Sequence, residues 1–414
     1  MNTSTPITAS IITIGDELLI GQNIDTNSAW MAKELNNIGI IIKRRVAVGD
    51  NWNEIWNCLQ EEGGSANVVL ITGGLGPTSD DITKPLLCKF FGGKMVIDKA
   101  ALENVIEIFT KLNRPLLDRN LKQAEVPDNC VVLQNKRGTA PGMLFDKNST
   151  LYVSMPGVPH EMKGMMNDDL LPLLNNRFNL SPVQHRTLLT AGIGESFLAE
   201  ILTEFETSLP HDIKLAYLPN YGMVRLRLSA SEHQSNNKID ALFSQLKLIV
   251  KEYLVVDQDL TLQETISGIF KSTKQTLSIA ESCTGGYISH LLTLIPGSSS
   301  FFLGSVVSYS NEMKSELLNV PSTVIREFGA VSTETAVKMA EGIRERTGSD
   351  FALATSGIMG PDGGTDGKPV GHVCVAFSSI NKTSTTTFNF RFDRKRNIEL
   401  TAAHALNFLL KNIR

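Results

Sequence analysis

Over the first 175 positions the apolar residues fall into two alternating rhythms: short β-branched runs, and longer stretches with helical spacing. Ala9-Ser-Ile-Ile-Thr-Ile-Gly15 reads as a buried strand, and residues 25–37 as a helix with Asp25 or Thr26 available as its cap. Residues 40–48 read as a strand, 52–62 as a helix and 68–72 as a further strand. Three short strand-like pieces separated by Gly and Pro occupy 131–154, and a helix over 159–175 closes the unit. Strands alternating with helices at this spacing predict a mostly parallel sheet covered on both faces.

The pattern changes near residue 180. A strand over 185–190, a helix over 196–209 and strands over 213–218 and 223–229 are followed by a helix over 236–253. In Met223-Val-Arg-Leu-Arg-Leu-Ser229, Arg225 and Arg227 share one face and Val224, Leu226 and Leu228 the other. No catalytic constellation stands out here, and two arginines on a strand read first as a solvated face. From residue 261 the α/β alternation resumes: helix 262–272, strand 276–280, strand 301–309, helix 332–347, strand 351–355, strands 370–377 and 385–392, and a closing helix 396–411. The expected fold is α/β: two three-layer α/β domains, 1–175 and 258–414, joined by a small α+β connector, 176–257.

Composition narrows the function classes. The 414 residues are 42% hydrophobic and 20% charged, with a formal charge of −4 and a mean hydropathy of −0.02. That balance argues against a general nucleic-acid surface. No apolar run approaches the ~18 residues of a membrane span, and the first ten residues lack the features of a signal peptide. Five scattered cysteines without a Cys-x-x-Cys pair read as reduced thiols, so a cytoplasmic location is expected.

Three segments of the last domain carry chemistry. Ala280-Glu-Ser-Cys-Thr-Gly-Gly286 sits at a strand-to-helix turn, where paired glycines and free N–H groups suit a phosphate, although an ordinary turn reads the same way. Pro296-Gly-Ser-Ser-Ser300 is followed by Tyr309 and Lys314. A serine needs a base to take its proton, and a lysine can serve only when neutral, hence desolvated. The glycine-rich run from Ala354 to Gly371 follows a strand directly, as binding loops at the carboxyl ends of strands do.

Glu281-Ser-Cys-Thr-Gly-Gly286, Pro296-Gly-Ser-Ser299, Tyr309-Ser-Asn-Glu-Met-Lys314, Gly329-Ala-Val-Ser332, Gly360-Pro-Asp-Gly-Gly-Thr365 and Lys368-Pro-Val-Gly371 together resemble the C-terminal domain of the CinA family. Members with this domain act as nicotinamide-nucleotide amidases, converting nicotinamide mononucleotide to nicotinate mononucleotide and ammonia in pyridine-nucleotide recycling. The resemblance implies Ser299 as nucleophile, Lys314 as general base and Tyr309 as proton relay, with no metal required. It places Ser282, Cys283, Thr284, Gly285, Gly286, Gly360, Gly363, Gly364, Thr365 and Arg394 around the substrate. Cys283 stays open as a rival nucleophile, since a thiol at a helix N-terminus can be activated. Family members are often homodimers.

In the first domain, Gly15-Asp-Glu17 ends the first strand and Gly73-Gly-Leu-Gly-Pro-Thr-Ser-Asp-Asp81 follows the third. Glycines with nearby carboxylates can hold phosphate and a divalent cation, or simply form a capped turn. With Asn27 and Met155-Pro-Gly-Val-Pro-His-Glu161 they resemble the molybdopterin-binding (MoCF-like) fold at the N-terminus of CinA proteins. Some members hydrolyse ADP-ribose there, a resemblance that implies Glu17, Asp80 and Asp81 as residues for a divalent metal such as Mg²⁺. His160 reads as a helix-start residue. The alternatives are a molybdopterin-binding protein and a non-catalytic partner in competence or recombination.

Overall fold

A computed structural model describes residues 6–78, 81–180, 184–220, 222–230 and 236–414. The chain divides into two compact units, 1–183 and 184–414.

The first unit contains β1 (Thr8–Ile14), β2 (Ile41–Val48), β3 (Val68–Thr72), β4 (Met95–Ile97), β5 (Glu125–Pro127), β6 (Val131–Leu133), β7 (Gly142–Lys147) and β8 (Thr150–Met155). Six of these form one sheet in the order β2-β1-β3-β8-β7-β6, while β4 and β5 pair separately. The first four are parallel, and β7 and β6 add antiparallel. Successive side chains on the central strands feed opposite cores. Ile11, Val68, Leu70 and Val153 pack with Met31, Leu35 and Met162. Ile12, Val69 and Ile71 pack with Ile55, Leu59, Leu86 and Leu87. Burial on both faces is why these strands read as unbroken apolar runs. Because β1 lies between β2 and β3, the chain leaves it in both directions and opens a crevice at the carboxyl ends. Residues 15–17, 73–78 with Asp81, and 156–161 follow β1, β3 and β8 at that edge.

In the second unit, β9 (Gln184–Ala191), β10 (Ile213–Asn220), β11 (Met223–Ala230) and β12 (Leu254–Val256) form an antiparallel sheet in the order β10-β11-β9-β12. Val224, Leu226 and Leu228 face helices Glu195–Thr207 and Asn236–Ile249. Arg225 lies on the other face and is tied down: it pairs with Asp259 at 2.9 Å and donates to Leu260 O at 3.1 Å. The helix expected over 236–253 stops at Ile249, and a turn feeds β12, which is too short to leave a periodic signal.

The unit's other sheet comprises β13 (Leu277–Glu281), β14 (Phe302–Val307), β15 (Phe351–Gly357), β16 (His372–Ser379) and β17 (Thr383–Asn389), in the order β14-β13-β15-β16-β17. The first three run parallel and the last two antiparallel. Leu277, Ile279 and Leu353 face helices Leu262–Thr273, Tyr287–Thr293 and Arg394–Ile413. Ala280, Ala352 and Ala354 face helix Thr333–Thr347 through Ala336 and Ala340. Leu189, Ala191 and Val255 of the four-stranded sheet belong to the same core as Leu262 and Ile266, so the connector and the last domain fold against each other.

Leu70 is fully buried at the centre of the first sheet. Leu70→Ala is expected to destabilise that unit by about 2–5 kcal/mol. All three tryptophans, Trp30, Trp52 and Trp56, lie in this unit, so denaturation followed by their fluorescence reads it directly. A loss below about 1 kcal/mol would contradict the packing described.

Candidate functional site

β13 ends on Glu281, whose side chain is fully buried. Its carboxylate accepts hydrogen bonds from Gly286 N (3.0 Å), Ile288 N (3.1 Å), Ser289 N (2.9 Å) and Ser289 Oγ (2.6 Å). A negative group is thereby placed on the open amides that begin helix Tyr287–Thr293, where it satisfies donors the helix cannot. The intervening turn bends through left-handed backbone at Gly285 and Gly286, with φ of 61° and 95°. Ser282 is fixed at the start of that turn by donating its N–H to Thr355 O at 3.0 Å. Thr284 Oγ1 and Thr355 Oγ1 share a hydrogen bond of 2.8 Å behind it.

Lys314 comes from helix Asn311–Leu318, whose start is capped by Ser310 Oγ accepting from Met313 N. The lysine is 1% exposed. Its Nζ donates to Ser282 Oγ at 3.1 Å and to Ser308 O at 2.9 Å, with Tyr309 O and Ser310 O each at 3.4 Å. No carboxylate pairs with it among the described residues. Burial holds its pKa below the ordinary lysine value, against the opposing pull of Cys283 and Glu312. An amine whose pKa burial lowers thus sits in contact with a hydroxyl.

Ser282, Cys283, Tyr309, Lys314, Gly360, Gly363 and Arg394 line one cavity of about 270 Å³. Tyr309 is exposed at its edge, and its hydroxyl accepts from Arg394 Nη2 at 2.7 Å. Arg394 Nη1 donates to Gly360 O at 2.8 Å. The closing helix begins at Arg394, two residues earlier than its apolar pattern indicates, because Asp393 caps it by accepting from Arg396 N. The glycine-rich loop is tethered to its surroundings: Lys368 Nζ donates to Phe328 O and Asn397 Nδ2 to Met359 O. Gly364, Thr365, Thr284, Gly285 and Gly286 are not on the cavity wall. The last three shape the turn instead.

The pairing of Lys314 with Ser299 requires correction. Ser299 is exposed in the short turn Ser298–Ser300, which leads into the start of β14, whereas Lys314 follows its end. Six residues of extended chain set them roughly 20 Å apart. The parallel register Glu281↔Val307 instead brings Ser282 beside Ser308 and the lysine. Cys283 is buried on the cavity wall, and burial pushes its thiol up to about 12, away from the reactive thiolate.

With this geometry in hand, the chain can be set beside known proteins. Residues 259–413 match the CinA C-terminal domain, 10–176 the probable molybdopterin binding domain and 185–255 the damage-inducible protein CinA KH domain. A CinA-like protein of Cytophaga hutchinsonii is 41% identical across 99% of both chains. The chain belongs to the CinA-like protein family. A second CinA-like relative, from Chloroherpeton thalassium, is 42% identical over 97% of this chain and 98% of its own. The crystal structure of a competence/damage inducible protein from Agrobacterium tumefaciens matches 36% of this chain and 92% of its own at 37% identity, with a TM-score of 0.36.

In the N-terminal domain of this CinA-like chain, Glu17 and Asp81 line one cavity of about 450 Å³ at the carboxyl edge of the sheet. Asp81 Oδ2 accepts from Thr78 N at 2.9 Å and Thr78 Oγ1 at 2.5 Å. Asp80 lies outside the described residues. Asp50 and Glu161 line the same cavity; neither had a role in the sequence reading, Glu161 standing only as the last residue of Met155-Pro-Gly-Val-Pro-His-Glu161 and Asp50 outside the motifs. Burial raises the Glu161 pKa, partly offset by the hydrogen bond from Asn135 Nδ2 at 2.7 Å. Among the described residues no three His, Cys, Asp or Glu side chains converge as a metal site. Asn27 ties the domain together by donating to Gly157 O at 2.7 Å.

Glu281→Gln leaves the turn with a group that cannot accept from four donors. The amides of Gly286, Ile288 and Ser289 are expected to exchange with solvent at least about tenfold faster. Unchanged protection in hydrogen-exchange measurements would show that the carboxylate does not hold the Ser282 turn.

Proposed function

We propose that the C-terminal domain is a nicotinamide mononucleotide amidase in which Ser282 is the nucleophile and Lys314 its general base. The observation that carries this reading is the 3.1 Å hydrogen bond between a buried lysine, with no acidic partner among the described residues, and a serine hydroxyl on a cavity wall. Neutral Lys314 takes the Ser282 proton, and the oxygen attacks the carboxamide carbon to form a tetrahedral oxyanion. The C–N bond then breaks as the Lys314 ammonium returns its proton to the leaving nitrogen, releasing ammonia and leaving an ester on Ser282. Water, deprotonated by the same amine, cleaves that ester to nicotinate mononucleotide and the free enzyme.

The N–H groups of Cys283 and Thr284 make no backbone hydrogen bonds among the described residues and adjoin the nucleophile. Either suits the oxyanion, at ~3–4 kcal/mol per donor. Arg394, at the edge of the cavity, offers a cation for the nucleotide phosphate, and its bond to Tyr309 keeps that phenol at the entrance.

Ammonia release from nicotinamide mononucleotide is expected to fall at least about a thousandfold in Ser282→Ala and in Lys314→Ala, and by less than about twofold in Ser299→Ala. In the wild-type protein kcat is expected to climb with pH as Lys314 loses its proton, levelling off below the ordinary lysine range. Loss of activity in Ser299→Ala with retention in Ser282→Ala would overturn the assignment.

A second reading concerns the N-terminal cavity, where four carboxylates, Glu17, Asp50, Asp81 and Glu161, border glycine turns. Such walls repel a bare pyrophosphate, so an ADP-ribose pyrophosphatase there requires a divalent cation alongside its substrate. Release of AMP from ADP-ribose is expected to depend on added Mg²⁺ or Mn²⁺ and to be lost in Asp81→Ala. Activity that persists in EDTA, or in that variant, would exclude it.

A further inference from the structure

The 450 Å³ cavity at the carboxyl edge of the first sheet has a neighbour. A second cavity of about 290 Å³ adjoins it, and Ile14, Glu17 and Gly157 line both. Its remaining wall comes from Thr13 of β1, Thr72 of β3 and the start of helix Thr26–Asn37, with Asp25 and Asn27. The pyrophosphatase reading uses only the larger of the two.

Asn27 carries an acceptor that the protein leaves unused. The residue is 8% exposed, and its Nδ2 donates to Gly157 O at 2.7 Å and to Thr72 Oγ1 at 3.3 Å. That orientation of the amide is forced, because Gly157 O can only accept and Thr72 spends its own proton on Pro156 O at 2.8 Å. Oδ1 therefore occupies the other side of the amide, buried, and accepts from no group among the described residues. Buried polar atoms ordinarily find a partner. The rest of this wall supplies none: Thr13 Oγ1 donates to Asp25 Oδ2 at 3.2 Å, and Asp25 accepts as well from Ser28 N at 2.9 Å and from Ser28 Oγ. Glu17, on the wall shared by the two cavities, is a further acceptor. The unspent capacity here calls for a ligand that brings hydrogen-bond donors.

We propose that the two cavities form one elongated site, in which the smaller takes the sugar at the far end of a nucleotide sugar and Asn27 Oδ1 accepts from its vicinal hydroxyls. The inference rests on the pyrophosphatase reading and assigns the terminal ribose of ADP-ribose to this wall, with the diphosphate at the glycine turns next door. A volume of about 290 Å³ far exceeds that of a bare cation, and vicinal hydroxyls are the donors such a substrate carries close to its diphosphate. Asn27 is on this account a specificity residue for the sugar.

The test uses the full-length protein and two compounds, ADP-ribose and its analogue without the vicinal hydroxyls of the terminal ribose. With Mg²⁺ present, kcat/KM for AMP release is expected to be at least about tenfold higher for ADP-ribose, since the analogue leaves the acceptor unanswered. In Asn27→Ser that preference is expected to shrink below about twofold, through a loss on ADP-ribose and not a gain on the analogue. Should Asn27→Ser fail to fold, the comparison of the two compounds in the wild-type protein decides alone. Equal kcat/KM for the two compounds, as from a cavity that holds only water, overturns the inference and leaves the pyrophosphatase reading standing. So does a preference that Asn27→Ser retains, or an Asn27→Ser defect that extra Mg²⁺ repairs for both compounds alike, which would make this a cation site. Release of AMP from neither compound sinks the pyrophosphatase reading itself. Calorimetric affinities of the two intact compounds then decide the inference: a tenfold preference for ADP-ribose supports it, and equal affinities overturn it.

Discussion

Holding a lysine amine out of water without a carboxylate is the constraint around which the C-terminal domain is organised. Desolvation disfavours the ammonium, and the nearest polar groups to Lys314 Nζ are backbone carbonyls and the Ser282 hydroxyl. An acidic partner would neutralise that effect by stabilising the charged form. Glu281, buried and adjacent in sequence to Ser282, is instead consumed by four donors of the following turn and helix. Division of labour between adjacent residues follows: Glu281 fixes the backbone, and Ser282 presents its oxygen to the amine. The neighbouring thiol is kept protonated by the same burial. One serine–lysine contact therefore stands beside a thiol that burial keeps protonated.

The N-terminal domain illustrates how one mostly parallel sheet produces two unlike ends. At the carboxyl edge, turns after β1, β3 and β8 bring Glu17, Asp81 and Glu161 to one crevice. At the amino edge, helix ends and the β7–β8 hairpin contribute aromatic rings and Lys147. The strands between are buried on both faces, so polar chemistry is confined to these two edges. The carboxylates at the carboxyl edge repel an anion unless a cation comes with it.

Much of this architecture was legible in the linear pattern. Continuous apolar runs such as Val68–Thr72 announce strands buried on both sides, and alternation with helical segments implies the parallel order. The glycine turns at 73–76, 285–286 and 360–364 mark the carboxyl edges, and Gly73, Gly74, Gly285, Gly286, Gly360 and Gly363 take up positive-φ backbone there. Short elements without a full period, such as β12 and the β4–β5 pair, left no signal.

The residue types and motifs of a CinA-like chain, its α/β class and the edge of each sheet on which chemistry collects are therefore properties of the sequence itself, since they depend on local periodicity and glycine placement. Which serine meets Lys314 is not. Ser299 stands fifteen positions from the lysine along the chain and Ser282 thirty-two, so linear spacing favours the wrong partner. β14 carries Ser299 to the far edge of the sheet, while its parallel pairing with β13 returns Ser282 to the lysine. Strand register is set by packing of the whole sheet, and a contact that spans two strands exists only once that sheet has formed.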